Sequence, residues 1–237
     1  MNGLARRLVA ELLGTGLLVT AVVGSGIAAH RLSTDGGLRL LENTVATVLA
    51  LGVLILVLGP ASGAHFNPAV TVVAWLSTRE RREPAVVALA YIGAQLVGGI
   101  GGAVLANVMF GLSAVSWSTT HRSGTPVLVG EVVATAGLVL VVFALTRAGR
   151  IAAIPVAVAA YIGAAYWFTS STSFANPAVA VGRMFSDTFA GIAPASVPAF
   201  VVAELVGAGV GAVLVGLLYP RRRSAEVDAL VLNAEGR

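Results

Sequence analysis

The chain has 237 residues, 57% hydrophobic and only 11% charged, with a formal net charge of +4 at pH 7. Soluble domains carry about a quarter charged residues, so this composition excludes a soluble globule. All the basic residues are Arg and there is no Cys, which removes disulfides, thiol chemistry and Cys-based metal sites.

The arginines sit in short loops between apolar runs, so they read as topology signals, and no nucleic-acid partner is expected. The first apolar run, 8–29, follows Arg6 and Arg7 and carries Glu11. It exceeds the roughly 7–15 residues of a leader's apolar region, so an uncleaved first helix is predicted. Further runs at 43–60, 84–109, 127–146, 151–170 and 195–219 complete a set of six. They are long and do not alternate, which predicts membrane-spanning helices and not a barrel. Two shorter apolar stretches, 68–77 and 177–186, cannot span, and each begins at a Pro that follows an Asn. Residues 1–220 read as a single transmembrane channel domain and 221–237 as a charged cytoplasmic tail.

Six spans put both ends on one side. That side receives Arg6, Arg7, Arg79, Arg81, Arg82, Arg147, Arg150, Arg221, Arg222, Arg223 and Arg237. The other receives Arg31, Arg39, Arg122 and Arg183. The excess places both termini in the cytoplasm of a multi-pass protein of the inner (plasma) membrane.

The chain also repeats itself. Asn67-Pro68-Ala69-Val70 returns as Asn176-Pro177-Ala178-Val179, an offset of 109 that also maps Gln95 onto Glu204, Gly98 onto Gly207 and Gly102 onto Gly211. Upstream, an offset of 120 pairs Glu11 with Glu131 and Thr15 with Thr135. The repeats run over about 5–110 and 125–220. Three spans per repeat force the second to lie upside down, so the two short segments enter from opposite faces and meet near the midplane.

Asn is a preferred N-cap and Pro suits the first helical position, so each motif reads as the start of a half-helix. Two half-helix N-termini facing each other oppose cations. The amides of Asn67 and Asn176 are expected to serve as donors to a passing solute oxygen.

The motifs "GAHFNPAVT" (63–71), "SFANPAV" (173–179), "AELLGTG" (10–16), "GAQLVGG" (93–99) and "AELVGAG" (203–209) resemble those of the major intrinsic proteins, the aquaporin and aquaglyceroporin superfamily. The resemblance covers about residues 5–220. It implies an all-α membrane protein, an aquaporin-like right-handed bundle of six transmembrane helices plus two half-helices, with one pore per subunit in a homotetramer. It makes Asn67, Pro68, Ala69, Asn176, Pro177 and Ala178 the pore motifs, and Glu11 and Glu131 the carboxylates bracing the two loops.

The family's four-position constriction falls, by its usual spacing, at Thr47, Ala164 (or Gly163), Ser173 and Val179. Val179 stands where nearly all members carry Arg. That set contains no aromatic ring and no charge, which predicts a wide, weakly polar filter. The stretch after the second motif also resembles a bacterial aquaglyceroporin subgroup linked to arsenic handling. Arg183, one turn beyond Val179, has two readings: a vestibule residue, or an outward Arg near Asp187 at the half-helix end, the latter preferred. His65 either lines the inner vestibule or packs the loop. His30, His65 and His121 are too scattered for a metal site, no motif points to an enzyme, and no cofactor is expected.

The expected function is a passive channel for small uncharged solutes: glycerol-like polyols, metalloid hydroxides such as arsenite and antimonite, and water. The alternatives are a water-selective pore with an unusual filter and an ion-coupled transporter built from inverted repeats.

Overall fold

A computed structural model describes residues 3–77 and 84–220. The arginines at 79, 81 and 82 and the tail from 221 to 237 lie outside the described residues. Among the described residues there are eight α-helices and no strand: α1 (Gly3–Leu32), α2 (Gly36–Ser62), α3 (Pro68–Ser77), α4 (Ala85–Met109), α5 (Thr125–Arg147), α6 (Ile154–Phe168), α7 (Pro177–Arg183) and α8 (Val197–Leu218). Short 3₁₀ turns, Ile151–Ala153 and Pro194–Ser196, lead into α6 and α8. Six of these segments are long and apolar enough to cross a bilayer. The exceptions are α3, with 10 residues, and α7, with 7, which rise only about 15 and 10 Å.

The helix ends have local causes. The Asp35 carboxylate accepts the Leu38 N–H at 2.7 Å and starts α2 seven residues before the predicted position. Gly63, at φ 91°, ends it with its N–H on the Gly59 carbonyl. The half-helices begin at Pro68 and Pro177, as the motifs predict. The second is shorter than the apolar stretch 177–186, because the chain turns off at Met184.

The inverted repeat is written into the packing. The longest interfaces join α1 to α4 and α5 to α8. In the first, Gly98 lies against the Leu12 carbonyl and Gly102 against the Gly16 carbonyl. In the second, a Cβ on Gly207 would sit 2.5 Å from the Val132 oxygen, and one on Gly211 2.6 Å from the Ala136 oxygen. These are the same contacts carried across by the offsets of 109 and 120. Small residues let the backbones touch, and in a bilayer that close packing holds helices together where the hydrophobic effect does not. Outside, Leu49, Val53, Leu56, Val86, Leu89, Val97, Val202, Val213 and Leu217 are exposed. An apolar surface of this extent suits hydrocarbon and not water.

Candidate functional site: a pore between two half-helices

The loops in front of α3 and α7 follow a path that L-residues avoid. Ala64 and Phe66 have φ of 49°, and their repeat partners Ser173 and Ala175 have φ of 52° and 48°. Each left-handed residue costs about 1 kcal/mol, so something must hold the loops. Glu11, fully buried, accepts the Ser62 hydroxyl at 2.7 Å, the His65 N–H at 3.0 Å, the Phe66 N–H at 2.7 Å and the Gln95 amide at 2.8 Å. Glu131 accepts the Phe174 N–H at 2.9 Å and the Ala175 N–H at 2.7 Å. The backbone donors bound by one carboxylate map onto those bound by the other at the offset of 109. Glu204, fully buried, adds a third anchor by accepting the Asn176 N–H at 2.9 Å.

The motifs then clasp each other. The Asn67 amide donates to the Ala175 carbonyl at 2.7 Å, and the Asn176 amide donates to the Phe66 carbonyl at 2.8 Å. Each Asn also caps its own half-helix: Asn67 Oδ1 accepts the Ala69 N–H, while Asn176 Oδ1 accepts those of Ala178 and Val179. So the asparagines are less free than the sequence suggests. Each amide nitrogen uses one hydrogen across the midplane and keeps one for the lumen.

A cavity of about 490 Å³ passes this clasp and is lined by Asn67 and Asn176. It is walled by Leu138, Val142 and Phe143 of α5 and by Ile154 and Val158 of α6, and its lining includes Val70, Val179 and Arg183. Among the described residues its lining contains no Asp or Glu. The three buried membrane carboxylates hold the loops and are absent from the lining, although Glu204 uses only Oε1 and its Oε2 has no partner.

Helix pairs related by an inverted repeat, two reciprocal Asn-capped half-helices and a lumen between them have counterparts among known proteins. The family profile "Major intrinsic protein" matches residues 2–173. The chain belongs to the major intrinsic protein family. Aquaglyceroporin AqpS of Rhizobium meliloti (strain 1021) is 52% identical over 220 residues, covering 92% of this chain and 93% of that protein. The lens fiber major intrinsic protein of Gallus gallus is 34% identical over 250 residues, covering 97% and 88%. The fold is also that of the X-ray structure of the aquaglyceroporin from Plasmodium falciparum, with a TM-score of 0.72 at 19% identity over 91% of this chain and 96% of that one. This major intrinsic protein therefore belongs to a class of multi-pass membrane channels that pass small solutes.

Against this frame each filter position can be placed. Thr47, Ser173 and Val179 line the cavity. Ala164 does not: it is exposed on the outer surface of α6. Gly163 faces Val48 of α2, where an added Cβ would come within 2.8 Å of a methyl. The lumen face of α6 is the series Ile154, Val158, Ile162 and Tyr166, spaced one helical turn apart. Ala164 stands about 200° round the helix from Ile162. Counting back from Asn176 assumes a set loop length, whereas the helix face decides which side chain points inward. That side chain is Tyr166, whose hydroxyl lies 3.3 Å from Thr47 Oγ1. The lining beside Thr47 is therefore not free of aromatic rings.

Nor is it free of charge. Arg183 is 3% exposed and lines the cavity, so the preferred reading of an outward, solvated Arg is overturned. Its Nε donates to the Ala190 carbonyl, and its guanidinium lies 3.5 Å from the centre of the Phe174 ring. Asp187, the expected partner, instead accepts the Thr119 N–H at 2.9 Å and the Thr119 hydroxyl at 3.1 Å. Phe174 also lines the cavity and is braced edge-on by Phe200 at 5.0 Å.

His65 lines the cavity and also packs the loop, with Nδ1 3.1 Å from Thr71 Oγ1 and its ring 5.4 Å from Tyr91. From the loop after α4, Arg122 reaches the Gly191 carbonyl at 3.0 Å and sits 5.2 Å from the Phe174 ring. Burial holds the Arg122 pKa below its ordinary value, and Glu131 pulls it back up.

Proposed function

We propose that this major intrinsic protein is a passive channel for small uncharged polar solutes: glycerol-like polyols, undissociated metalloid hydroxides such as arsenous and antimonous acid, and water. The observation that carries this reading is the lumen that passes between Asn67 and Asn176. Its walls are mainly apolar, with polar atoms at a few levels: the two asparagines at the midplane, and Thr47, Tyr166 and Ser173 farther out. A solute with hydroxyls on one side and a bare surface on the other finds both kinds of partner. The name carried by the Rhizobium meliloti relative, an aquaglyceroporin, supports the same solute class. Among the described residues no carboxylate lines the lumen, and this weighs against a transporter coupled through a carboxylate on the path.

The filter we assign is Thr47, Tyr166, Ser173 and Val179. An isopropyl group at Val179 leaves space that a guanidinium would fill, and this favours glycerol over a strict water pore. The remaining parts of the reading are a single channel domain over 1–220 with a tail at 221–237, both termini in the cytoplasm of the plasma membrane, and a homotetramer with one pore per subunit.

Stopped-flow light scattering on proteoliposomes tests the proposal. Glycerol and arsenous acid fluxes should rise linearly with gradient and ignore membrane potential and pH gradient; saturable, proton-driven uptake would identify a transporter instead. In Val179→Arg, glycerol flux should fall about tenfold relative to water, the size of effect that about 1.4 kcal/mol of added barrier produces. Equal glycerol and water fluxes before and after that substitution would remove Val179 from the filter.

A further inference from the structure

We propose that Arg183 is the charge filter of this pore, a cation set one helical turn outward of the position that follows the second Asn-Pro-Ala motif. This rests on the channel reading and adds to it a fixed charge beyond Val179; Arg147 lines the same cavity on the α5 side, where it donates to the Val215 and Tyr219 carbonyls. Val179 and Arg183 are four residues apart in α7, so they share a face and differ in level by about 6 Å. Both line the cavity. The charge has therefore moved along the path and has not been lost from it.

The geometry fits a working charge better than a structural one. A buried Arg with a purely structural role is ordinarily paired with a carboxylate. Among the described residues Arg183 has no such pair; Nε holds the Ala190 carbonyl, the Phe174 ring carries the flat face, and Asp187 is occupied by Thr119. These contacts fix the head group and leave its terminal nitrogens free of protein acceptors. A second observation points to a ligand in this cavity. Ser173 Oγ is buried, has no hydrogen-bond partner, and belongs to a residue lining the same cavity. A solute bearing hydroxyls offers what each group lacks: an oxygen to accept from the guanidinium and a hydroxyl hydrogen for Ser173 Oγ. A monovalent cation has no lone pair to offer the guanidinium and is repelled by it. Arg122, 5.2 Å from the same Phe174 ring, adds a second positive charge behind it. The chemical class admitted is thus a neutral molecule with a hydroxyl, and the class rejected is the small cation.

The test uses the full chain in proteoliposomes, with sodium, water and glycerol fluxes measured side by side. Arg183→Leu should raise sodium permeability about tenfold above wild type, since a unit charge several ångströms from the path at an effective dielectric near 20 opposes a cation by at least that factor. Arg183→His should make the leak depend on pH: closed near pH 5.5, where the imidazole is charged, and open near pH 8. Val179→Arg combined with Arg183→Leu should close it again by returning the cation one turn inward. Sodium permeability at the wild-type background in Arg183→Leu, with water flux present, overturns the proposal. So does an Arg183→His leak that does not change with pH. If Arg183→Leu does not fold, the His variant decides alone, because a packing role would not titrate. Failure of the channel reading looks different: wild type itself would pass neither water nor glycerol.

Discussion

Glu11→Leu should abolish the folded channel. The substitution puts an apolar side chain of similar size in α1 and removes the acceptor of the Ser62 hydroxyl and of the His65 and Phe66 N–H groups, while the Gln95 amide keeps its bond to Thr71 Oγ1. Each orphaned donor costs about 1–3 kcal/mol, so the sum reaches the whole stability of a typical domain. Water cannot make up the loss, because Glu11 and Phe66 are buried in the interior. The Ala64 and Phe66 backbone would also lose what holds it at positive φ. Glu11→Gln should fall between, since one carbonyl oxygen remains to accept. Size-exclusion profiles and thermal melts in detergent measure both. A Glu11→Leu protein that stays monodisperse and melts within a few degrees of wild type would falsify the bracing account.

Gly182→Leu should remove solute flux by a different route. Where α7 crosses α4, a Cβ on Gly182 would sit 2.6 Å from the Gly99 carbonyl oxygen, and one on Gly99 would sit 2.6 Å from the Ala178 oxygen. Backbone faces backbone, with no flexible side chain to yield, so α7 has to move outward. Overpacking of this kind costs about 1–3 kcal/mol. The functional effect is larger, because α7 carries Val179 and Arg183 into the lumen and begins at the Asn176 clasp. Glycerol flux in proteoliposomes should drop at least about tenfold, the loss that a displacement near 1 Å brings to an aligned site. Gly101→Ala is the control: its added Cβ meets nothing within 4 Å, and flux should match wild type. Parallel losses in both variants would point to general sensitivity of α4.

The architecture was legible in the sequence because a membrane simplifies the code. Six apolar runs and two half-length ones follow from length alone, and the offsets of 109 and 120 tie them into an inverted pair. The same offsets located the bracing glutamates and the interhelical glycines, since polar or small residues stand out against an apolar background. The lumen face of α6 was hidden for the converse reason. Its sequence, IPVAVAAYIGAAYWF, is apolar on every side, so periodicity does not separate the face bearing Tyr166 from the face bearing Ala164. Arg183 was misplaced because a lone Arg at a half-helix end has an ordinary explanation in the helix dipole. What decides its direction is the Ala190 carbonyl and the Phe174 ring, partners that only the folded loop brings to it.

The reciprocal clasp has a consequence for how the chain is made. Asn67 is synthesised more than a hundred residues before Ala175, the carbonyl its amide will hold. Until then the first half sits in the bilayer with a complete set of spans and an open polar loop. The Phe66 carbonyl waits in the same way for Asn176. A nascent half therefore cannot pass as a finished small protein: it displays unsatisfied amide and carbonyl groups in hydrocarbon until its mirror image arrives. The last third of the chain to be made supplies the missing partners of the first third.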